Sequence, residues 1–178
     1  MPTNKRPKSI VSEADMSQAV AYKLGKYATR EININDCIFD VVAYDKKARL
    51  FRVVECKRRS KASAIGHAFG QLATYKATIA AQGGIFLDVY SKRINMRLGR
   101  WMEATNRYRR IRITFYVALT DKACKRVDLI RSLKESLPEV GIIRVKPNGL
   151  CRNYLHEGKR KDTAIAQARP ITVRILPF

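Results

Sequence analysis

Asp40, Glu55 and Lys57 are the residues of this 178-residue chain whose types and spacing could do chemistry. Two carboxylates and an ammonium emerge from CIFDVVAYDKKARLFRVVECKRR, a stretch otherwise rich in β-branched and aromatic residues. Charged groups on apolar strands are costly unless they share a task, and a divalent cation held by both acids would give them one. The acid-x-Lys pattern is not rare here, since Asp45-Lys46-Lys47 and Glu157-Gly158-Lys159 also fit it. Only Glu55-Cys56-Lys57 lies inside an apolar strand that follows another strand carrying an acid. The bland alternative is a solvated hairpin face or an internal Asp40–Lys57 ion pair.

The elements that must position these groups follow from the surrounding pattern. Residues 37–44 and 49–56 read as the two strands of a hairpin around a polar turn, Asp45-Lys46-Lys47-Ala48. That turn pairs Tyr44 with Arg49 and sets Asp40 across from Val53. Side chains alternate with period two, so Asp40, Val53, Glu55 and Lys57 share one face. The two acids are then diagonal neighbours, roughly 7–8 Å apart at the backbone. Upstream, Ser12 and Asp15 form an approximate capping box with Val11 as the staple, opening a helix that ends at Leu24-Gly25. Residues 27–34 read as a strand.

Downstream, Ile65, Ala68, Phe69, Leu72 and Ile79 recur at helical spacing and predict a helix over 62–82, stopped by Gly83-Gly84. Gly66 and Gly70 beside that stripe predict close packing on a sheet. Gln71 and Tyr75 lie four apart and share a helix face. IFLDVY (85–90) reads as a short strand, and Ile94, Leu98, Trp101 and Met102 as a helix. Residues 113–119 predict a strand, 125–137 a helix and 141–146 a strand closed by Pro147-Asn148-Gly149. ITVRILPF (171–178) reads as a late strand. Hairpins mixed with crossovers predict an α/β (α+β) fold, a mixed β-sheet core flanked by helices. The domain expectation is a flexible basic arm over 1–11 and one domain over 12–155, with 85–112 as a candidate basic insertion. A tail over 156–178 completes it.

Lys and Arg number 36 against 15 acids, a net charge of +21. Such an excess speaks of partners, and a polyphosphate backbone bound with counterion release is the foremost. A membrane partner is the competing reading; it wants a basic amphipathic helix or a lipidation motif, and the sequence shows no lipidation motif. No run of about 18 apolar residues predicts a membrane span, and MPTNKRPKSIV lacks the apolar stretch of a secretion signal. The four cysteines are scattered, which argues against zinc fingers and iron–sulfur clusters. Only two histidines, in ordinary settings, argue against Ser-His-Asp or Cys-His catalysis. Reduced thiols and an intracellular setting (cytoplasmic, nucleoid-associated or viral) are expected. Arg107, Arg109, Arg110 and Arg112, interleaved with Tyr108, are either a second track for phosphates or a solvated basic loop. Trp101 is expected in the core and His67 in solvent.

Asp40, Glu55-Cys56-Lys57 and Gln71-x-x-x-Tyr75 together resemble the PD-(D/E)xK nuclease superfamily, the restriction-endonuclease-like fold, and its RecB-like branch. The text VVECKRRSKASAIGHAFGQLATYK is similar to mismatch or structure-specific endonucleases of the NucS kind and to Holliday-junction resolvases. The resemblance covers residues 12–82; 113–146 is only compatible with it. The residue before Asp40 is Phe39, where the superfamily's name has proline. The resemblance implies Asp40 and Glu55 as metal-binding carboxylates, Lys57 as the catalytic lysine, and Gln71 and Tyr75 as accessory residues that meet the substrate strand. Glu13 matches a position where members place another acid, and it reads equally as a first-turn acid favouring the helix dipole. The Cys56 carbonyl is expected to complete the coordination of Mg²⁺ or Mn²⁺. Arg58, Arg59 and Lys61 are expected to flank the scissile strand. The function expected is a metal-dependent deoxyribonuclease, with branched, mismatched and single-stranded DNA all left open as substrates and a homodimer if both strands are cut. The alternative is a non-catalytic basic DNA- or RNA-binding protein whose acids are structural.

Overall fold

The computed structural model describes residues 5–96, 110–153 and 168–175. The chain forms α1 (Glu13–Leu24), β1 (Ala28–Ile34), β2 (Cys37–Asp45), β3 (Leu50–Lys57) and α2 (Ala62–Arg93). β4 (Arg110–Thr120), a short α3 (Asp121–Cys124), α4 (Val127–Ser136), β5 (Gly141–Val145), β6 (Cys151–Asn153) and β7 (Ile171–Arg174) follow. One mixed sheet runs β1-β2-β3-β4-β5-β6, with β7 beside the first part of β4. Antiparallel pairing joins β1, β2 and β3, and parallel pairing carries β3 to β4 and β4 to β5. The α1 stripe Met16, Ala19 and Val20 meets Val41, Val54 and Cys56 on one face. α2 and α4 cover the other, where Phe39, Val53, Phe69, Leu72, Phe86 and Ile130 form the larger core. The mixed sheet flanked by helices is therefore the architecture. Among the described residues no helix is long and apolar enough to cross a membrane.

The capping box forms as expected. The Ser12 hydroxyl accepts from the Asp15 N–H and the Asp15 carboxylate accepts from the Ser12 N–H. Gly25, at φ 92°, stops the helix. Val11 stays 69% exposed, so no staple forms.

The hairpin exists but its register is shifted by two. Arg49 takes a left-handed conformation (φ 52°), so the turn spans residues 46–49 and Tyr44 pairs with Phe51. Val42 faces Val53, and continuing that ladder sets Asp40 directly across from Glu55 instead of diagonal to it. Strict alternation also fails in β2. Phe39 packs in the α2-side core, Val41 in the α1-side core and Val42 again on the α2 side. The break falls at Asp40, across from Glu31, whose φ of 55° is unusual for a residue with a side chain. The pairs Arg30–Val41 and Ile32–Phe39 bracket it. Holding a non-glycine residue there costs about 1–3 kcal/mol.

α2 does not end at Gly83-Gly84, and residues 85–90 are helix, not strand. Only Gln82 leaves helical geometry (φ −134°, ψ 33°), and the helix resumes so that Phe86, Leu87 and Tyr90 enter the core. The glycine at 83 serves packing: a Cβ there would lie 2.1 Å from Ile175 Cγ2. Alanine would stabilise an unpacked helix by about 1 kcal/mol. Gly83→Ala is instead expected to destabilise the domain by about 1–3 kcal/mol through overpacking, read as a lower urea midpoint. By contrast, nothing lies within 4 Å of a Cβ built at Gly66 or Gly70, so the expected close packing there is absent.

The segments set apart as arm, insertion and tail join the domain where they are described. The Ile10 N–H donates to the Pro147 carbonyl, and Gln18 Nε2 to the Lys5 carbonyl. Residues 85–93 are core helix, and β7 extends the sheet. β6, three residues without an apolar alternation to mark them, pairs antiparallel with β5 as an added strand.

Candidate active site

Strand pairing and one helix assemble the acids. Asp40 Oδ2 accepts a 2.7 Å hydrogen bond from the Cys56 N–H, which ties the end of β3 to the break in β2. Glu55 lies in β3 at 6% exposure. The Tyr75 hydroxyl donates to Glu55 Oε2 at 2.5 Å and sits 2.7 Å from the Ile38 carbonyl oxygen. Its ring stacks on Phe39 with centroids 4.4 Å apart. Continuing the Val42–Val53 ladder sets the Asp40 and Glu55 side chains on facing positions of adjacent strands, and each carboxyl acts on the other's ionisation. The two acids singled out in the sequence thus face each other directly across β2 and β3, where the expected register set them diagonally.

Electrostatics at the pair follow from burial. Desolvation pushes the Glu55 carboxyl up to about 8, and the Asp40 charge adds to the rise. The Tyr75 hydrogen bond and the Lys57 ammonium pull the other way without cancelling it. Asp40 is also raised, chiefly by burial, against the opposing Cys56 N–H and Lys57. With no added cation, the two acids hold onto a proton that free carboxyls would lose.

Lys57 stands at the rim. Its Nζ lies 3.4 Å from Glu13 Oε1, which also accepts from the Arg58 N–H at 3.4 Å. Glu13 thus occupies the first turn of α1 and pairs with the lysine beside the acids. A cleft of about 630 Å³ opens here, lined by Glu13, Lys57, Arg58, Arg59, Lys61 and His67 among others. Arg58, Arg59 and Lys61 are exposed, as a phosphate contact requires.

No protein-family model, curated protein or solved structure matches the chain. The chemistry of the site is therefore judged on its geometry. Among the described residues no three His, Cys, Asp or Glu side chains cluster to hold a metal ion. The donor set is two carboxylates facing each other across adjacent strands, hard oxygen ligands whose mutual repulsion a divalent cation would relieve, and it fits Mg²⁺ or Mn²⁺ with main-chain and water oxygens completing the shell.

Several residues take other places than expected. Tyr75 is 1% exposed with its hydroxyl committed to Glu55, so it orients the acid and does not stack on a nucleic acid. Gln71 is half-buried one turn before it. Arg110 and Arg112 lie at the opposite end of β4 from the residues beside Glu55 and Lys57, because β4 runs parallel to β3 and their pairing starts at Phe51–Ile113. Arg112 donates to the carbonyl of Ala48 in the hairpin turn. Arg107 and Arg109, with Tyr108 and Trp101, lie outside the described residues. His67 is exposed as expected, yet it lines the cleft with Ser63. These two are four apart on the first turns of α2, a spacing from the basic run that could have placed them.

Proposed function

We propose that this chain is a nuclease that hydrolyses DNA phosphodiester bonds with Mg²⁺ or Mn²⁺. The observation that carries the reading is the pairing of Asp40 with Glu55, two carboxyls driven toward protonation by burial, beside Lys57 and a basic cleft. Asp40 and Glu55 would hold the cation, with the Cys56 carbonyl as the nearest main-chain donor in sequence. Such an ion lowers the pKa of a bound water and polarises a phosphoryl oxygen. Tyr75 holds Glu55 in place, and the Cys56 N–H holds Asp40. Lys57 offers a compact positive charge against the negative charge that develops on phosphate oxygens, and Glu13 fixes where that ammonium sits. Arg58, Arg59 and Lys61 bind neighbouring phosphates, while half-buried Gln71 offers an amide toward the water or a phosphate.

A second reading is a basic, non-catalytic nucleic-acid binder. It is favoured by the partners both acids already have, the Tyr75 hydroxyl and the Cys56 N–H, which could make the pair purely structural. One assay separates the two. Labelled single-stranded, duplex and branched DNA are incubated with the native chain, Asp40→Ala and Lys57→Ala, in Mg²⁺, Mn²⁺ or EDTA. Cutting that needs the metal and is lost in both variants, with DNA binding retained, is the expected outcome. Cutting that is equal in all three proteins would trace to a contaminant and remove the nuclease reading.

A further inference from the structure

A second cationic cleft lies at the other end of α1. It encloses about 280 Å³ between the end of that helix and the hairpin, lined by Lys23, Tyr27, Lys46, Lys47 and Arg52 with Asp45. Two ammoniums converge on one ring, Lys46 Nζ at 4.5 Å and Lys26 Nζ at 5.0 Å from the Tyr27 centroid. Asp45, the one acid in the lining, is consumed: it accepts from the Lys47 and Ala48 N–H groups and from Arg52 Nη2. Arg52 Nε is buried without a hydrogen-bond partner among the described residues. The negative end of the α1 dipole accounts for Lys23, in its last turn, but not for the lysines of the hairpin turn. Like charges gathered around a spent carboxylate oppose folding unless a polyanion answers them.

The two basic clefts share one helix. Ser12 and Glu13 open α1 in the first, and Lys23 and Leu24 close it in the second. Twelve residues of helix span about 18 Å. That length matches about five nucleotide steps of a duplex strand. Between the clefts, the outer side of α1 carries no acid beyond its first turn and presents Tyr22 at 50% exposure. The Lys5 carbonyl receives Gln18 there, bringing the basic N-terminal segment alongside.

We propose that a nucleic-acid strand lies along α1, its phosphates held at one end by the Arg58–Lys61 cleft and at the other by Lys26, Lys46 and Lys47 around Tyr27. This rests on the nucleic-acid part of the function proposed above, and it does not depend on cutting. A concave pocket suits a strand's phosphates better than a flat sheet of acidic lipid headgroups.

The test is fluorescence anisotropy of labelled DNA in EDTA over a salt series, with the native chain and Lys26→Ala/Lys46→Ala/Lys47→Ala. The variant is expected to bind at least about tenfold more weakly at low salt. Its slope of log affinity against log salt should shrink by about three. Lys47→Ala alone, which leaves both lysines on the Tyr27 ring, should reduce the slope by about one and serves if the triple variant misfolds. Unchanged affinity and slope in folded variants would overturn the proposal, as would native protein that prefers phosphatidylserine vesicles to DNA in competition. A native chain that binds DNA through these lysines yet never cuts it would remove the nuclease and leave this surface standing.

Discussion

Glu55→Gln is expected to unfold later than the native chain when both are held near pH 8 without divalent metal, while DNA cutting falls by at least about a hundredfold. At position 55 an ionised carboxylate bears the cost of burial and of the Asp40 charge. Glutamine keeps an oxygen that accepts from Tyr75 and sheds the ionisation. The gain is on the order of 1–3 kcal/mol, read as a shift of the urea midpoint. Opposite signs for stability and activity mark a group kept for function. A loss of stability in Glu55→Gln would instead mark the acid as structural and favour the binder.

The metal-free protein is expected to lose stability as pH rises from about 5 to about 8. Glu55 ionises near its ordinary 4.5 when unfolded and near 8 when folded, so over that interval the folded chain holds a proton that the unfolded chain has released. Its stabilising contribution is complete below the lower value and gone above the higher one, and raised Asp40 acts in the same direction. Mg²⁺ or Mn²⁺ needs both carboxylates ionised, so its stabilisation should be largest at the alkaline end. At a hundred times its dissociation constant it would add about 2.7 kcal/mol. Urea titrations across this range, in EDTA and in Mn²⁺, check both signs. Asp15 and Asp45, lowered by their hydrogen bonds, act oppositely and only below the ordinary carboxylate range.

The hairpin, the capping box and the nearness of Asp40 to Glu55 were legible because each rests on local patterns. Apolar alternation marked the strands, and Ser12 with Asp15 marked the start of α1. Register was not legible, since nothing in Lys46-Lys47-Ala48-Arg49 announces that Arg49 adopts a left-handed turn conformation. Nor was the inversion at Asp40, which depends on strain at Glu31 one strand away. Gly83 misled because glycine ends helices and also admits close neighbours, and only the position of Ile175 decides which. How far the Arg110 and Arg112 track stands from the acids could not be read while the direction of β4 was unknown. The burial of Tyr75 depended on Phe39 facing α2, which strict alternation through β2 would have denied.

The parallel seam between β3 and β4 carries a kinetic consequence. β1, β2 and β3 can zip together through short turns, but β4 reaches its place only after the chain has passed through the whole of α2 and residues 97–109. Such distant closure is slow relative to hairpin formation. Refolding should therefore pass its main barrier when β4 docks, with the scaffold that bears Asp40 and Glu55 assembled early and the helix that pins Glu55 secured late.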